Sequence, residues 1–442
     1  MAVRATSTKL SSCSTFSLAE SLKFHLRFDC VSNIWRPFST RSMASRDERE
    51  RKWSSSSLLS AKLKAKSKAS VDLVKRRTRS AKEFNEEYMK RYSGNKESHI
   101  PVMLGEVMDA FSSSSSFSLQ SFVDCTLGAA GHSFAIIQAH PELQLYIGLD
   151  VDPIAHKNAR TLINELMLGD SSLRTADLKA YTQVRNFKEI KQVIGEVDNK
   201  LLASGVDGIL MDLGMSSMQV DNAERGFSML SNGPLDMRMD PRATLKAEDI
   251  VNSWPADEVG RILRDYGEET SWYSLQNAIV KARLQGGLHS ADELVEIIRI
   301  TTSRSRGGRQ GWIKTSARVF QALRIAVNDE LRTLEDSLRA CFDCLAPRGR
   351  LAVVSFHSLE DRIVKQTFLS LINGSQGRGE NDGRRSELRN LNNNFEKDAW
   401  IKQIVEGDTG IVLTKRPITA SAEEERLNSR SRSAKLRVIQ KI

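Results

Sequence analysis

The residues best placed for chemistry begin at Phe122-Val123-Asp124-Cys125-Thr126-Leu127-Gly128-Ala129-Ala130-Gly131-His132, a buried strand running into a glycine turn and then a helix. Such a turn lets the backbone approach a ligand closely, and the free N–H groups of the following helix point at it. Of the three glycines in the dinucleotide pattern only Gly128 and Gly131 are present, so the turn alone admits any nucleotide-like ligand. Asp150 closes a second apolar strand roughly 20 residues later, where a carboxylate accepts hydrogen bonds from both hydroxyls of an adenosine ribose. Asp212 ends a further strand, and His357 follows another. A lone histidine is usually structural, but at this edge of a sheet a substrate role has equal weight.

The elements that position these residues alternate strand and helix from His99 onward. Strands are expected at 122–127, Leu145–Leu149, Val184–Phe187 and Val206–Leu213, then at Arg350–Phe356, with late strands at Gly410–Thr414 and Lys435–Ile439. Residues 214–241 read as a long loop, which in a compact domain favours a substrate-facing cover. Helical periodicity takes over at 245–300, through Ile250, Val259, Ile262, Leu263, Ile279, Leu294 and Ile297-Ile298. The segment Ser303–Arg318 mixes Arg304, Arg306, Arg309, Lys314 and Arg318 with Trp312, which suits phosphate contact and base stacking and suits a solvated loop equally well. One long amphipathic helix is expected from about Ala317 to Leu345, with Phe320 and Leu323 in the core.

The 442 residues carry a net charge of +10, which on its own suggests a nucleic-acid partner. Residues 1–95 hold 21 Lys and Arg against 9 Asp and Glu, so the excess belongs to the N-terminal extension. Residues 1–45 are rich in Ser, Thr and Arg, with Glu20 and Asp29 as their acids, which is a transit-peptide composition. The first twenty residues, poor in arginine, point to the chloroplast, whereas Arg36-Pro37-Phe38-Ser39 would suit a mitochondrial processing site. Residues 46–95 form a charged extension, either a solvated linker or an arm touching RNA. No run of about 18 apolar residues exists, so no membrane span is expected. The cysteines at 13, 30, 125, 341 and 344 fit no disulfide framework. Cys341-x-x-Cys344 lacks a second ligand pair, so no metal is expected and both cysteines should face the core.

A strand-one glycine turn, acids closing strands two and four, and two late strands follow the order of an S-adenosylmethionine-dependent methyltransferase of the Rossmann-like α/β class. The resemblance then becomes specific. His99–Met103, Leu210–Gly214, Glu224-Arg225-Gly226-Phe227-Ser228, Gly233–Pro241, Tyr266-Gly267-Glu268-Glu269, Phe320–Arg324 and Ser355–Arg362 resemble the RsmH (MraW) family. That family methylates N4 of a cytidine in the decoding centre of small-subunit ribosomal RNA. The resemblance implies a methyltransferase core at 96–243 and 314–442, with a polar loop at about 372–405. A helical subdomain at 244–313, inserted between the two parts, would recognise substrate. The implied partner is small-subunit rRNA or the assembling small subunit.

The resemblance also carries a site. The family's Gly-Gly-His turn corresponds to Ala130-Gly131-His132, so an alanine stands where the family has its first glycine. A positive φ there would cost about 1 kcal/mol. With Gly128, these residues and Asp150, Phe187, Asp212 and Gln219 are the implied cofactor contacts. Asp150 is expected at the ribose, Phe187 at the adenine, and Asp212 and Gln219 nearer the methionine end and the target base. Arg238, Ser355, His357 and Ser358 are the expected substrate contacts. Asp212 is also the candidate catalytic acceptor for the amino proton, from its place at the strand end; the Asn/Asp-Pro-Pro-aromatic motif that many amino-methyltransferases use for this purpose is absent, and Asp212-Leu213-Gly214 occupies its position. Cytosine C5 methylation needs a cysteine nucleophile near strand four or five, and none is there. The turn and Asp150 alone would also serve an NAD-dependent dehydrogenase, and a non-catalytic assembly factor could retain the whole fold.

Overall fold

Alternation along the central strands sorts their side chains onto two faces. Phe122, Tyr146, Leu210 and Ala352 face one core with Phe111, Ile136 and Val438. Their neighbours Val123, Ile147, Ile209 and Val353 face the other with Ile194, Leu338 and Phe368. Burial on both faces is what a parallel sheet sandwiched between helices requires. The computed structural model describes residues 78–83, 100–114, 117–168, 177–302, 308–373, 401 and 404–442. The expected transit peptide, most of the charged extension, the Arg304 and Arg306 loop and nearly all of the polar loop lie outside these residues.

The strands are β1 (Ser121–Asp124), β2 (Leu145–Asp150), β3 (Lys179–Val184), β4 (Val206–Asp212), β5 (Leu345–Ser355), β6 (Val405–Glu406), β7 (Gly410–Val412), β8 (Ile418–Thr419) and β9 (Lys435–Lys441). They form one sheet in the order β3-β2-β1-β4-β5-β9-β7-β6, with β8 paired to β9. The first five are parallel and the C-terminal strands pair antiparallel. The chain moves outward from β1 through β2 to β3, then returns to β4 on the other side of β1. That reversal opens a crevice at the carboxyl ends of β1 and β4, the ligand position of doubly wound sheets. The fold is therefore α/β and Rossmann-like, with an antiparallel C-terminal edge.

Three expected elements fall elsewhere. The third strand lies at Lys179–Val184 rather than Val184–Phe187, because it is the half-exposed sheet edge and carries a weak apolar signal. Phe187 instead opens a short 3-10 turn capped by Asn186. The long helix is two, Gly308–Asn328 and Glu330–Asp343, separated by Asp329 in a left-handed conformation with φ 46°. β5 begins at Leu345 rather than Arg350, and its pairing with β4 shifts register between Val206 and Gly208.

The helices Ala247–Ser253, Ala256–Asp265, Trp272–Arg283 and Ala291–Thr302 share a separate apolar cluster. Phe227, Leu235 and Met237 from the preceding loop join it, as do Val319, Phe320 and Leu323 from the helix Gly308–Asn328. Residues 78–83 run along β8 at the C-terminal part of the sheet. Arg79 bridges to Thr419, Ser80 donates its amide to the Thr419 carbonyl at 2.8 Å, and Arg79 pairs with Glu425 at 2.9 Å. Lys82 bonds the Gly105 carbonyl at 3.0 Å and pairs with Asp109.

Candidate active site

The turn after β1 is built from backbone hydrogen bonds. Leu127 donates its amide to Leu149 at 2.8 Å, and Ala130 donates to the Leu127 carbonyl at 2.7 Å. Gly128 has φ +50° and donates its amide to Asp150 Oδ2 at 2.7 Å. Asp150 Oδ1 accepts the Asp152 amide at 2.8 Å, so each carboxylate oxygen keeps a lone pair for another donor. Burial pushes the Asp150 pKa up to about 6, against the pull of those two amides.

Ala130 occupies the position before the helix Gly131–Ala139 at φ 62° and ψ 22°, left-handed and wholly buried. Next to it, a Cβ on Gly131 would stand 2.4 Å from Pro101 Cγ, so the turn is packed against the segment before the helix Leu104–Phe111. His132 lies 3.1 Å from the Val102 carbonyl, and only its Nε2–H tautomer can donate there. Burial lowers the His132 pKa to about 4, which leaves the ring neutral near pH 7.

His132 Nδ1 stands 3.6 Å from Asp212 Oδ2. The Asp212 amide is held by Thr126 Oγ1 at 2.7 Å, and Thr126 in turn donates its own amide to Asp124 at 3.0 Å. The Asp212 side chain is a quarter exposed, yet its Oδ1 is enclosed without a hydrogen-bond partner among the described residues. Burial, then the nearby acids Asp124 and Glu360, push its pKa well above the ordinary carboxylate range.

A second layer ties the loop after β4 to the end of β2. Ser216 and Gln219 form a capping box that starts the helix Ser217–Asp221. Gln219 Nε2 donates to Asp152 Oδ2 at 3.1 Å, and Arg225 Nη1 reaches the same oxygen at 2.6 Å. Arg225 Nη2 then donates to the carbonyls of Arg238 at 2.9 Å and Met239 at 3.0 Å. Asp152 and Arg225 thus hold the loop against the sheet. Neither is among the contacts expected from sequence, although Asp152 stands just past the second strand and Glu224-Arg225-Gly226-Phe227-Ser228 marks the other segment.

The structure gathers Gly128, Ala130, Gly131, His132, Asp150 and Asp212 at the carboxyl ends of β1, β2 and β4. Gln219 reaches them through Asp152, and Phe187 follows the end of β3 half-buried against the second core. The four expected substrate residues each make contacts within the protein. Arg238 Nε and Nη2 donate to Asp236 at 2.8 and 2.6 Å, and its Nη1 donates to the carbonyls of Pro241 and Ala243, so it braces its own loop. Ser355 is 1% exposed in β5, with its hydroxyl on the Lys435 carbonyl at 3.4 Å, and is a sheet residue. His357 caps the helix Ser358–Ile372, accepting the Glu360 amide at 3.4 Å on Nδ1 with Nε2 3.0 Å from Glu360 Oε1. Ser358 remains on the surface, hydrogen-bonded to the Glu268 carboxylate.

Beside this cap, Glu330, His357 and Glu360 bring ligand atoms within 4.8 Å of one another. Arg324 grips both oxygens of Glu330 at 2.8 and 2.9 Å, so a guanidinium supplies the positive charge there. Cys125, Cys341 and Cys344 are free thiols buried in the second core, as their helical and strand positions implied. Among the described residues, no helix is long and apolar enough to cross a membrane.

Three observations fit an adenosyl cofactor bearing a cationic sulfur: the unpartnered Asp212 Oδ1, the spare lone pairs of Asp150, and a turn in which Gly131 leaves no room for a side chain. Residues 96–442 match the MraW methylase family. A "Ribosomal RNA small subunit methyltransferase H" of Heliobacterium mobile is 39% identical over 351 residues, covering 78% of this chain and 99% of that protein. Proteins of the same name from Heliobacterium modesticaldum and Paenibacillus sp. are 40% and 38% identical, covering 78% of this chain and 98% and 99% of their own. With the crevice, the glycine turn and the paired acids in place, this chain belongs to the MraW methylase family of S-adenosylmethionine-dependent methyltransferases.

Proposed function

We propose that this enzyme methylates N4 of a cytidine in the decoding region of an organelle's small-subunit ribosomal RNA, and that the organelle is the chloroplast. The rRNA reading is supported by the names of the relatives, which account for nearly their whole length within this chain. The organellar reading is supported by the Ser/Thr/Arg-rich residues 1–45, which precede the family match at 96–442. The inserted helices 247–302 present the surface on which the RNA is recognised.

One observation carries the chemistry: an enclosed carboxylate oxygen on Asp212, without a partner among the described residues, at the strand end beside the cofactor turn. When bound, S-adenosylmethionine supplies a methyl group already activated on a sulfonium. Gly128, Ala130, Gly131, His132, Asp150, Phe187, Asp212 and Gln219 are the residues that would hold it. What remains for the protein is orientation and one proton. The N4 lone pair of cytosine is delocalised into the ring, and an acceptor on an amino hydrogen helps the nitrogen pyramidalise. Asp212 serves as that acceptor and takes the proton the amino group loses when it becomes a secondary amine. Cys125, the residue after β1, is 1% exposed and packed into the second core, so among the described residues a carbon-methylating route has no accessible thiol nucleophile at this edge.

The test is to incubate the full chain with S-adenosylmethionine and small-subunit rRNA or the assembled subunit, and to map the product. N4-methylcytidine at a decoding-region position, missing from chloroplast rRNA of cells without this protein, is the expected result. A methyl mark on another atom, or a loss confined to mitochondrial rRNA, would overturn the corresponding part.

A further inference from the structure

Arg324, on the helix Gly308–Asn328, is only 8% exposed and has no role in the proton transfer described above. Its Nε and Nη2 are locked to Glu330 in a two-pronged fork. Nη1 has no hydrogen-bond partner among the described residues, and its direction is fixed by the fork. A Cβ built on Gly214 would lie 3.8 Å from Arg324 Nη1 and 3.8 Å from Phe356 Cδ2. Gly214, at φ +90°, stands two residues beyond Asp212. The open donor therefore flanks the backbone that carries the amino-proton acceptor.

A guanidinium donor this enclosed gains most from an acceptor that shares its pocket. Phosphate is a poor choice for that acceptor, because Glu330 already offsets the positive charge and the Glu360 carboxylate adds further negative charge to these surroundings. A neutral acceptor suits the surroundings better. The target amino group brings one with it, since in cytosine the ring nitrogen N3 lies next to N4 and has a free lone pair.

Building on the N4-cytidine reading, we propose that Arg324 Nη1 donates to N3 of the target cytosine, with Glu330 as the positioning residue. Asp212 and Arg324 then read the amino hydrogen and the ring nitrogen as a donor–acceptor pair. Uracil presents the reverse pattern, a carbonyl at position 4 and an N–H at position 3, and so faces an acceptor with an acceptor and a donor with a donor. The fork makes this a specificity determinant as well as an anchor.

The test uses the rRNA substrate with 3-deazacytidine at the methylated position, which replaces N3 by C–H and retains the amino group. Wild-type turnover should fall ~10- to 100-fold, the scale of one charge-assisted hydrogen bond. Arg324→Lys should lower turnover on cytidine by a similar factor and then lose little more on 3-deazacytidine, while its cofactor affinity by calorimetry stays near wild type. If the two losses multiply, or if wild type methylates 3-deazacytidine at the normal rate, the proposal fails. Arg324→Gln repeats the cycle if the lysine variant does not fold. If wild type forms no N4-methyl product on native RNA, the underlying reading fails first and takes this inference with it.

Discussion

The amide of Gly128 and the carboxylate of Asp150 meet at 2.7 Å, which makes the turn after β1 and the acid ending β2 one unit. Because burial raises the Asp150 pKa to about 6, that unit titrates close to neutrality. Ribose hydroxyls need the carboxylate as acceptor. Cofactor affinity should therefore be full above pH 6 and fall as pH drops through it, by up to about tenfold per unit. Calorimetric titration with S-adenosylmethionine between pH 5 and 7.5 checks this, and in Asp150→Asn the pH dependence should vanish along with most of the affinity.

Ala130 should be improvable. At φ 62° its Cβ crowds the backbone, and glycine removes that strain while making the unfolded chain more flexible. The net effect of Ala130→Gly should be a gain of about 0.5–1 kcal/mol, read as a rise of a few degrees in melting temperature. No gain would mean that the surroundings have adapted to the methyl group.

Gly131 is the opposite case. In Gly131→Ala the new methyl would strike Pro101 Cγ and displace the segment whose Val102 carbonyl holds His132. A loss of about 1–3 kcal/mol in stability and weakened cofactor binding are expected. Adding Pro101→Ala removes the obstructing atom and should recover part of both, as chemical denaturation and calorimetry on the double variant would show.

Asp212→Asn separates binding from chemistry. The amide keeps the shape but cannot take a proton, so kcat should fall ~10²-fold or more, and cofactor affinity should fall by a smaller factor because the charge facing the sulfonium is lost. In the wild type, turnover should rise with pH through a pKa well above the ordinary carboxylate range, since the carboxylate is the active form. That limb should be missing in the variant. Near-normal turnover with unchanged cofactor affinity would remove Asp212 from both roles.

Much of the sheet could be read in advance because its central strands are buried on both faces and end in acids. β1, β2 and β4 carry short, largely apolar and buried runs, and Asp150 and Asp212 close two of them. β3 lies several residues before its expected place because an edge strand has no such run. The break at Asp329 was invisible for a related reason, since apolar periodicity passes through one left-handed residue unchanged. Contacts that depend on tertiary direction were least legible. Arg238 and Ser355 had suitable chemistry and position, yet their polar atoms turn toward Asp236 and Lys435. The Arg324–Glu330 fork is formed across that same helix break, so no helical spacing announces it.

The fastening of residues 78–83 along β8 has a practical consequence for producing the protein. A chain trimmed to the shared bacterial length, starting at residue 96, would lose the Ser80 amide from the Thr419 carbonyl and the cations paired with Glu425 and Asp109. It would leave backbone beside β8 open to pairing with another molecule. Trimming upstream of Thr78 keeps that edge covered, and should yield the better-behaved preparation in light scattering.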